Sequence, residues 1–329
     1  MIRKILMTAM LVLMAAALVS AGGSRDQAQQ VYTLRFGHLA NEQNPWHLAA
    51  VNFKENVESR SQGRIQVNIF PNEQLGSEMD TVTGIQAGTA HMTITGESLQ
   101  NWAPMAALLG APYAIRDLAH LDTVASGPLG REIEQQITDT VGLRPIAYFA
   151  RGPRNLTSNR PIRHPRDLNN MRLRVPNVPL FVSVWETLGA NPTPMAFGEV
   201  FTALQQGTID GQENPYSLIR SASFYEVQSH LNLTEHVRGW IYVVIGEEVF
   251  QSMPQDLQQI VLDAGREMQA FERRMFLEEE SRLEQELKDL GMTFVQVDFA
   301  AFQSLATDAV RRTLTAEQLA MYERIVNTR

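Results

Sequence analysis

Residues 31–95 read VYTLRFGHLANEQNPWHLAAVNFKENVESRSQGRIQVNIFPNEQLGSEMDTVTGIQAGTAHMTIT, and the fold class follows from how that stretch alternates. Val31–Phe36 has the composition of a strand and runs into a Gly37-His38-Leu39 loop. Asn44-Pro45 is a helix start, a capping residue followed by proline at the first helical position. Trp46, Ala49, Ala50, Phe53 and Val57 then recur at helical spacing, and Gly63 ends the unit. Ile65, Val67 and Ile69 alternate with polar residues in a strand that stops at Pro71. Ser77 caps a second helix carrying Met79, Val82 and Ile85, which ends near Gly88, and Met92–Thr95 is a third strand. The order β-α-β-α-β predicts an α/β sheet with covering helices.

Outward from this unit the pattern continues. Helices are expected near Asp117–Ser126 and Gly130–Val141, followed by a strand at Leu143–Phe149. The intervening Gly127-Pro128-Leu129-Gly130 reads as a turn, and it is no dinucleotide fingerprint. A second α/β segment begins after Arg151, with a strand Met171–Val175 ended by Pro176 and helices at Pro179–Leu188 and Gly198–Gln206. Trp240–Ile245 is a continuous apolar strand. Pro254–Leu290 is a single helical pattern stopped by Gly291. It would span about 55 Å, longer than one ordinary domain, and is expected to run across two lobes.

At the other end, Arg3 and Lys4 precede an apolar run from Ile5 to Val19, and Val19-Ser20-Ala21 has the small residues of a cleavage site. This is the pattern of a secretory signal over residues 1–21, with Gly22–Gln30 as a short flexible leader. An uncleaved anchor is the competing reading, but the run is shorter than the roughly 20 residues of a membrane span. The 329 residues carry 28 Lys plus Arg against 36 Asp plus Glu, a net charge of −8. Losing Arg3 and Lys4 with the signal takes the charge to −10. Nucleic-acid binding is therefore disfavoured, since it needs a basic surface. With no cysteine there is no disulfide, thiolate nucleophile, Cys-ligated metal or lipoprotein anchor. Only Lys4, Lys54 and Lys288 are lysines; the other basic residues are arginines, a bias that codon usage explains.

No catalytic constellation stands out. The seven histidines are scattered, without H-E-x-x-H spacing, and there is no G-x-S-x-G elbow or P-loop. The informative block is Met171-Arg172-Leu173-Arg174-Val175-Pro176. Alternation puts Arg172 and Arg174 on one face, with Arg174 at the carboxyl end, where open α/β sheets bind ligands. An arginine there can grip a carboxylate with two parallel hydrogen bonds. The same spacing suits two arginines covering a solvated sheet face, and spacing alone does not separate Arg172 from Arg174. Asp210-Gly211-Gln212-Glu213-Asn214-Pro215 reads as a polar loop, either plain surface or one presenting Asn214 to a ligand. Phe197, just before a helix, has the ordinary reading of a core residue.

The run Gly152-Pro153-Arg154-Asn155-Leu156-Thr157-Ser158-Asn159-Arg160-Pro161-Ile162 resembles a motif of the extracytoplasmic solute-binding proteins of tripartite ATP-independent periplasmic (TRAP) transporters. Asp167-Leu168, MRLRVPN, LGANPTPMAF, GEVFTALQQG, IDGQENP and Phe224-Tyr225-Glu226-Val227-Gln228 follow in order, and Ser61–Ile65 and Gln74-Leu75-Gly76 precede it. The similarity runs from about Tyr32 to the C-terminal region. It implies two α/β lobes around a cleft, with strands crossing between them and a long helix spanning both. Lobe I is expected over 31–151 plus about 240–279, and lobe II over about 152–239 plus 280–329.

The resemblance also implies site residues. Arg174 matches the arginine that pairs bidentately with a ligand carboxylate, Arg154 a second ligand-side arginine, Asn214 the asparagine of the DGQEN segment and Phe197 the aromatic on the ligand. Glu97 matches an acidic cleft position, and Asn177 lies three residues beyond Arg174. His38 and Trp240 are placed at the distal end of the pocket, though core or rim positions would suit them equally. Leu39 and Gln100 stand where the sialic-acid branch has an Asn and an Arg, which argues against sialate. The function implied is periplasmic capture of an organic acid by a monomer, without metal or cofactor, and delivery to TRAP permease subunits. The rivals are a receptor feeding a sensor kinase and an organic-acid-processing enzyme.

Overall fold

The computed structural model describes residues 30–329, so the expected signal peptide 1–21 and leader residues 22–29 lie outside the described residues. The opening unit forms in the order read from its sequence: β1 Tyr32–Gly37, a helix Pro45–Arg60, β2 Ile65–Phe70, a helix Glu78–Gln86 and β3 Met92–Thr95. The Asn44 side chain accepts the Trp46 N–H at 3.0 Å and starts the first helix. Ser77 and Asp80 form a reciprocal capping box on the second. β1 runs parallel to β2 and β3 on either side of it, as helical crossovers dictate.

The other strands are β4 Leu143–Ala150, β5 Arg154–Ser158, β6 Arg172–Val175, β7 Asn191–Pro194, β8 Gly211–Asn214, β9 His230–Val237, β10 Trp240–Gly246 and β11 Thr293–Val295. They divide between two sheets of order β2-β1-β3-β10-β4 and β11-β9-β5-β8-β6-β7. β10 is buried along its whole length and pairs antiparallel with β3 and β4. The two-lobed α/β architecture expected from the sequence is thus present.

The chain passes between the sheets in two short adjacent crossings. Arg151-Gly152-Pro153 joins β4 to β5, and Arg238-Gly239 joins β9 to β10. The Arg151 N–H donates to the Gly239 carbonyl at 3.1 Å. The ladder at Ala150 and Trp240 therefore continues into the one at Arg154 and Val237. A side chain at Gly239 would put its Cβ 2.2 Å from the Leu109 carbonyl oxygen, so the crossing needs glycine there. The third connection is the helix Gln255–Asp289, 35 residues and roughly 52 Å long. Leu257, Val261, Ala264 and Met268 of its first half pack under the first sheet, while Leu283 and Leu287 join the core beside the second.

Three local expectations change. Gly127–Gly130 is not a free turn: Pro128 opens the helix Pro128–Val141 from its first turn. Asp210–Pro215 is not a loop: Gly211–Asn214 forms the buried strand β8, because pairing with β5 satisfies its backbone. The C-terminal helix Ala316–Asn327 falls outside the expected lobe II assignment of 280–329. It lies against the first lobe, where Arg324 pairs with Glu132, the Gln318 amide donates to the Pro104 carbonyl at 2.7 Å and Ile325 contacts His120.

Candidate functional site

A cleft opens between the two sheets, lined by residues of both. Arg174, Arg154, Asn214, Phe197, Glu97 and Asn177 all line it. The structure thus gathers the six principal residues singled out in the sequence at one place. Their elements explain the convergence: β5, β6 and β8 are neighbours in the second sheet, and Glu97 follows β3 of the first.

Arg172 and Arg174 part company here. Arg172, at the open end of β6, is exposed and paired with Asp210. Arg174 is only 3% exposed. Its Nε and Nη2 donate to the Met195 carbonyl at 3.0 and 2.7 Å, which fixes the guanidinium plane. The Phe197 ring centroid lies 5.9 Å from its Cζ, and Phe197 in turn packs edge-on against Phe224. Arg174 makes no salt bridge among the described residues. Burial brings its guanidinium down to about 10, with Glu213 opposing the fall, so it remains charged at neutral pH.

The other two arginines are already paired. Arg154 grips Glu213 bidentately at 2.6 and 2.7 Å, and the Glu213 carbonyl accepts from the same guanidinium at 2.8 Å. His236 Nε2 lies 2.8 Å from Glu213 Oε2, while its Nδ1 faces the Thr234 hydroxyl at 2.9 Å. Burial lowers His236, so the neutral ring donates to the carboxylate. Burial acts to raise Glu213, but the Arg154 guanidinium outweighs it and brings the carboxyl to about 2. Glu97 accepts from Arg151 at 2.6 Å and lies 3.6 Å from Arg154. The electrostatic result is a neutralised scaffold of Arg151, Glu97, Arg154 and Glu213, with Arg174 as an unpaired cation beside it.

Side chains and main chain meet across the cleft. The Asn41 amide donates to the Ser221 carbonyl at 2.6 Å and the Asn101 amide to the Asn177 carbonyl at 2.8 Å. The Gly198 N–H donates to Glu73 Oε2 at 2.9 Å. A Cβ at Gly198 would stand 2.5 Å from that oxygen, so any larger residue there would push the Glu73 carboxylate aside. These contacts describe a closed arrangement of the lobes.

A sequence model of bacterial extracellular solute-binding proteins, family 7, matches residues 36–316. It is a member of that family. Among curated relatives, a solute-binding protein from Roseobacter denitrificans is 57% identical over 93% of this chain and 94% of its own length. The 2,3-diketo-L-gulonate-binding periplasmic protein of Escherichia coli is 31% identical over 85% of this chain and 86% of its own. The solved structure of a Roseobacter denitrificans TRAP periplasmic solute-binding protein with bound L-galactonate is 57% identical. It matches with a TM-score of 0.89 over 90% of this chain and 99% of that one. This family 7 protein is a periplasmic solute-binding subunit of a TRAP transporter, a class that captures organic acids, and not an enzyme.

For His38 and Trp240, left between pocket, core and rim by the sequence, the structure favours the core. Neither lines the cleft. His38 is buried beside His47, its Nε2 3.2 Å from His47 Nδ1, and burial lowers it to about 3. Trp240 is fully buried in the core, as its place in the continuous apolar strand β10 requires. Of the two departures from the sialic-acid branch, Leu39 lines the cleft, whereas the Gln100 side chain accepts the Leu180 N–H at 3.2 Å and caps a helix. Sequence reasoning missed Glu73, Glu78 and Arg151. For Glu73 and Glu78 the available signal was their position around Gln74-Leu75-Gly76; for Arg151 it was the sheet-to-sheet crossing.

Proposed function

We propose that this protein captures a sugar acid, with Arg174 as the anchor for the ligand carboxylate. The observation that carries the reading is the state of Arg174: buried, charged, oriented by the Met195 carbonyl and without a carboxylate partner among the described residues. A ligand carboxylate supplies the missing counter-ion and accepts two parallel charge-assisted bonds. Phe197 packs beside it, Asn214 and Asn177 offer hydrogen bonds, and Arg154 with Glu97 holds the cleft wall. Relatives support the ligand class. Besides the L-galactonate complex, a Polaromonas protein 29% identical to this chain is bound to D-erythronate, and a Xanthobacter protein 28% identical holds β-D-galacturonate.

Binding and closure form one step. Because ligand and lobes share contacts across the cleft, the acid favours the closed form, bending the chain at the paired crossings. That form is the one delivered to the permease. The protein works as a monomer after signal cleavage following Ala21; sedimentation and N-terminal sequencing of the exported protein test these two points.

Titration calorimetry with L-galactonate, D-galacturonate, D-erythronate and succinate tests the ligand class. A sugar acid is expected to bind with Kd of about 1 μM or tighter, near −8 kcal/mol. Tightest binding of succinate, with no sugar acid bound, overturns the reading.

A further inference from the structure

Once the ion pairs in and beneath the cleft are set aside, Arg174 and two carboxylates remain. Arg151 and Arg154 are matched by Glu97 and Glu213. Glu73 and Glu78 line the same cleft, and neither makes a salt bridge among the described residues. Neutral donors hold them instead. Glu73 Oε2 accepts the Gly198 N–H at 2.9 Å, and Glu73 Oε1 is buried with no hydrogen-bond partner. Glu78 Oε1 accepts the Thr95 hydroxyl at 2.6 Å and the Gly96 N–H at 3.3 Å. Its second oxygen carries no such bond among the described residues.

The backbone is strained to place Glu73. Asn72 and Glu73 have φ of 54° and 57°, a region uncommon for residues other than glycine. The Asn72 and Glu73 N–H groups donate to the Ala40 and His38 carbonyls at 3.0 and 3.1 Å, which locks the turn. Backbone strain held by its surroundings collects at ligand clamps. Both acids lie within electrostatic reach of Arg174. Burial pushes both carboxyls above the usual range, with the Gly198 N–H and the Thr95 hydroxyl opposing it.

A chain of hydroxyls and a second carboxylate would fare differently in such a cleft. Hydroxyls donate to the unoccupied oxygens of Glu73 and Glu78. A second carboxylate has no cation left to meet, because Arg174 takes the first and the other arginines are paired. We infer that Glu73 and Glu78 set the ligand class of this cleft: they accept hydrogen bonds from the hydroxyls of a monocarboxylate sugar acid and repel a ligand with a second carboxylate. The inference rests on Arg174 as the carboxylate anchor. Selectivity then comes from a repulsive element as well as an attractive one.

The test compares L-galactonate with galactarate, the diacid of the same carbon skeleton, by titration calorimetry. L-fuconate, which lacks the terminal hydroxyl but has one charge, serves as a control. The protein is expected to prefer L-galactonate over galactarate by about 100-fold, as like charges brought together at a binding surface imply. L-fuconate should bind more tightly than galactarate. Glu73→Gln and Glu78→Gln should each narrow the galactonate-to-galactarate ratio by about tenfold or more, at an unchanged melting temperature without ligand. Galactarate binding within about threefold of L-galactonate overturns the inference, and so does a ratio unchanged in both variants. The wild-type ratio decides even if one variant folds poorly. Failure of the anchor itself shows separately, as full L-galactonate affinity in an Arg174→Ala protein or no binding of either acid.

Discussion

Arg174→Ala is expected to weaken sugar-acid binding by about 30- to 5,000-fold, or roughly 2–5 kcal/mol. The loss exceeds that of one hydrogen bond because the ligand carboxylate would enter a largely desolvated cleft and find no counter-ion. Arg151 and Arg154 cannot replace it, since Glu97 and Glu213 already hold them. Arg174→Lys separates charge from geometry. The ammonium keeps the charge but loses the planar fork and its grip on the Met195 carbonyl, so affinity should fall by about tenfold or more while staying above that of the alanine variant. Stability without ligand should move the other way. A buried guanidinium with no carboxylate partner is a cost of folding, so Arg174→Met should leave the ligand-free melting temperature unchanged or higher. Calorimetry and thermal melts read the two effects separately; unchanged affinity in Arg174→Ala would remove Arg174 from the site.

Glu213→Gln should produce the largest loss of stability, about 3–5 kcal/mol, because it keeps the shape but leaves the buried Arg154 without its close partner. For a protein of this size that is a fall of roughly 5–8 °C in melting temperature. The pH dependence follows from the depressed carboxyl. Glu213 lies near 2 when folded and near its ordinary value of 4.5 when unfolded. Its contribution is therefore fully present above about 4.5 and is lost as pH falls toward 2. The stability gap between wild type and Glu213→Gln should be wide at pH 7 and close progressively below pH 4.5, since protonated Glu213 resembles glutamine. Denaturant melts at a series of pH values measure this gap, and one that stays constant down to pH 2 would show that Glu213 does not fold as an ion.

The strands that escaped the sequence explain what local pattern can carry. β5, β8 and β9 read RNLTS, GQEN and HLNLTEHV, with little apolar alternation, yet β5 and β8 are wholly buried and β9 largely so. Their polar side chains satisfy one another instead. Thr157 donates to Gln228 at 3.0 Å, and Asn232 donates to the Leu156 carbonyl and the Ser158 hydroxyl at 3.0 and 2.8 Å. Such strands look like loops until their partners, some 55 to 80 residues away, are in place. For His38 and Trp240 the sequence left pocket, core and rim equally open, and only the packing puts both in the interior.

By itself the sequence determined the β-α-β-α-β opening, the helix crossing both lobes and a family motif dense enough to single out Arg174 over Arg172. These are set by signals within a few residues of one another, namely apolar period, caps and ordered motifs. Only the tertiary structure decided which charges are free. Arg154 and Arg174 are alike in sequence, but β8 delivers Glu213 to one, while the end of β7 brings the Met195 carbonyl to the other. Glu73 and Glu78 became part of the site only when the second sheet closed over the first. Electrostatic roles depend on distances between segments far apart in the chain, and those distances exist only once the two sheets have met.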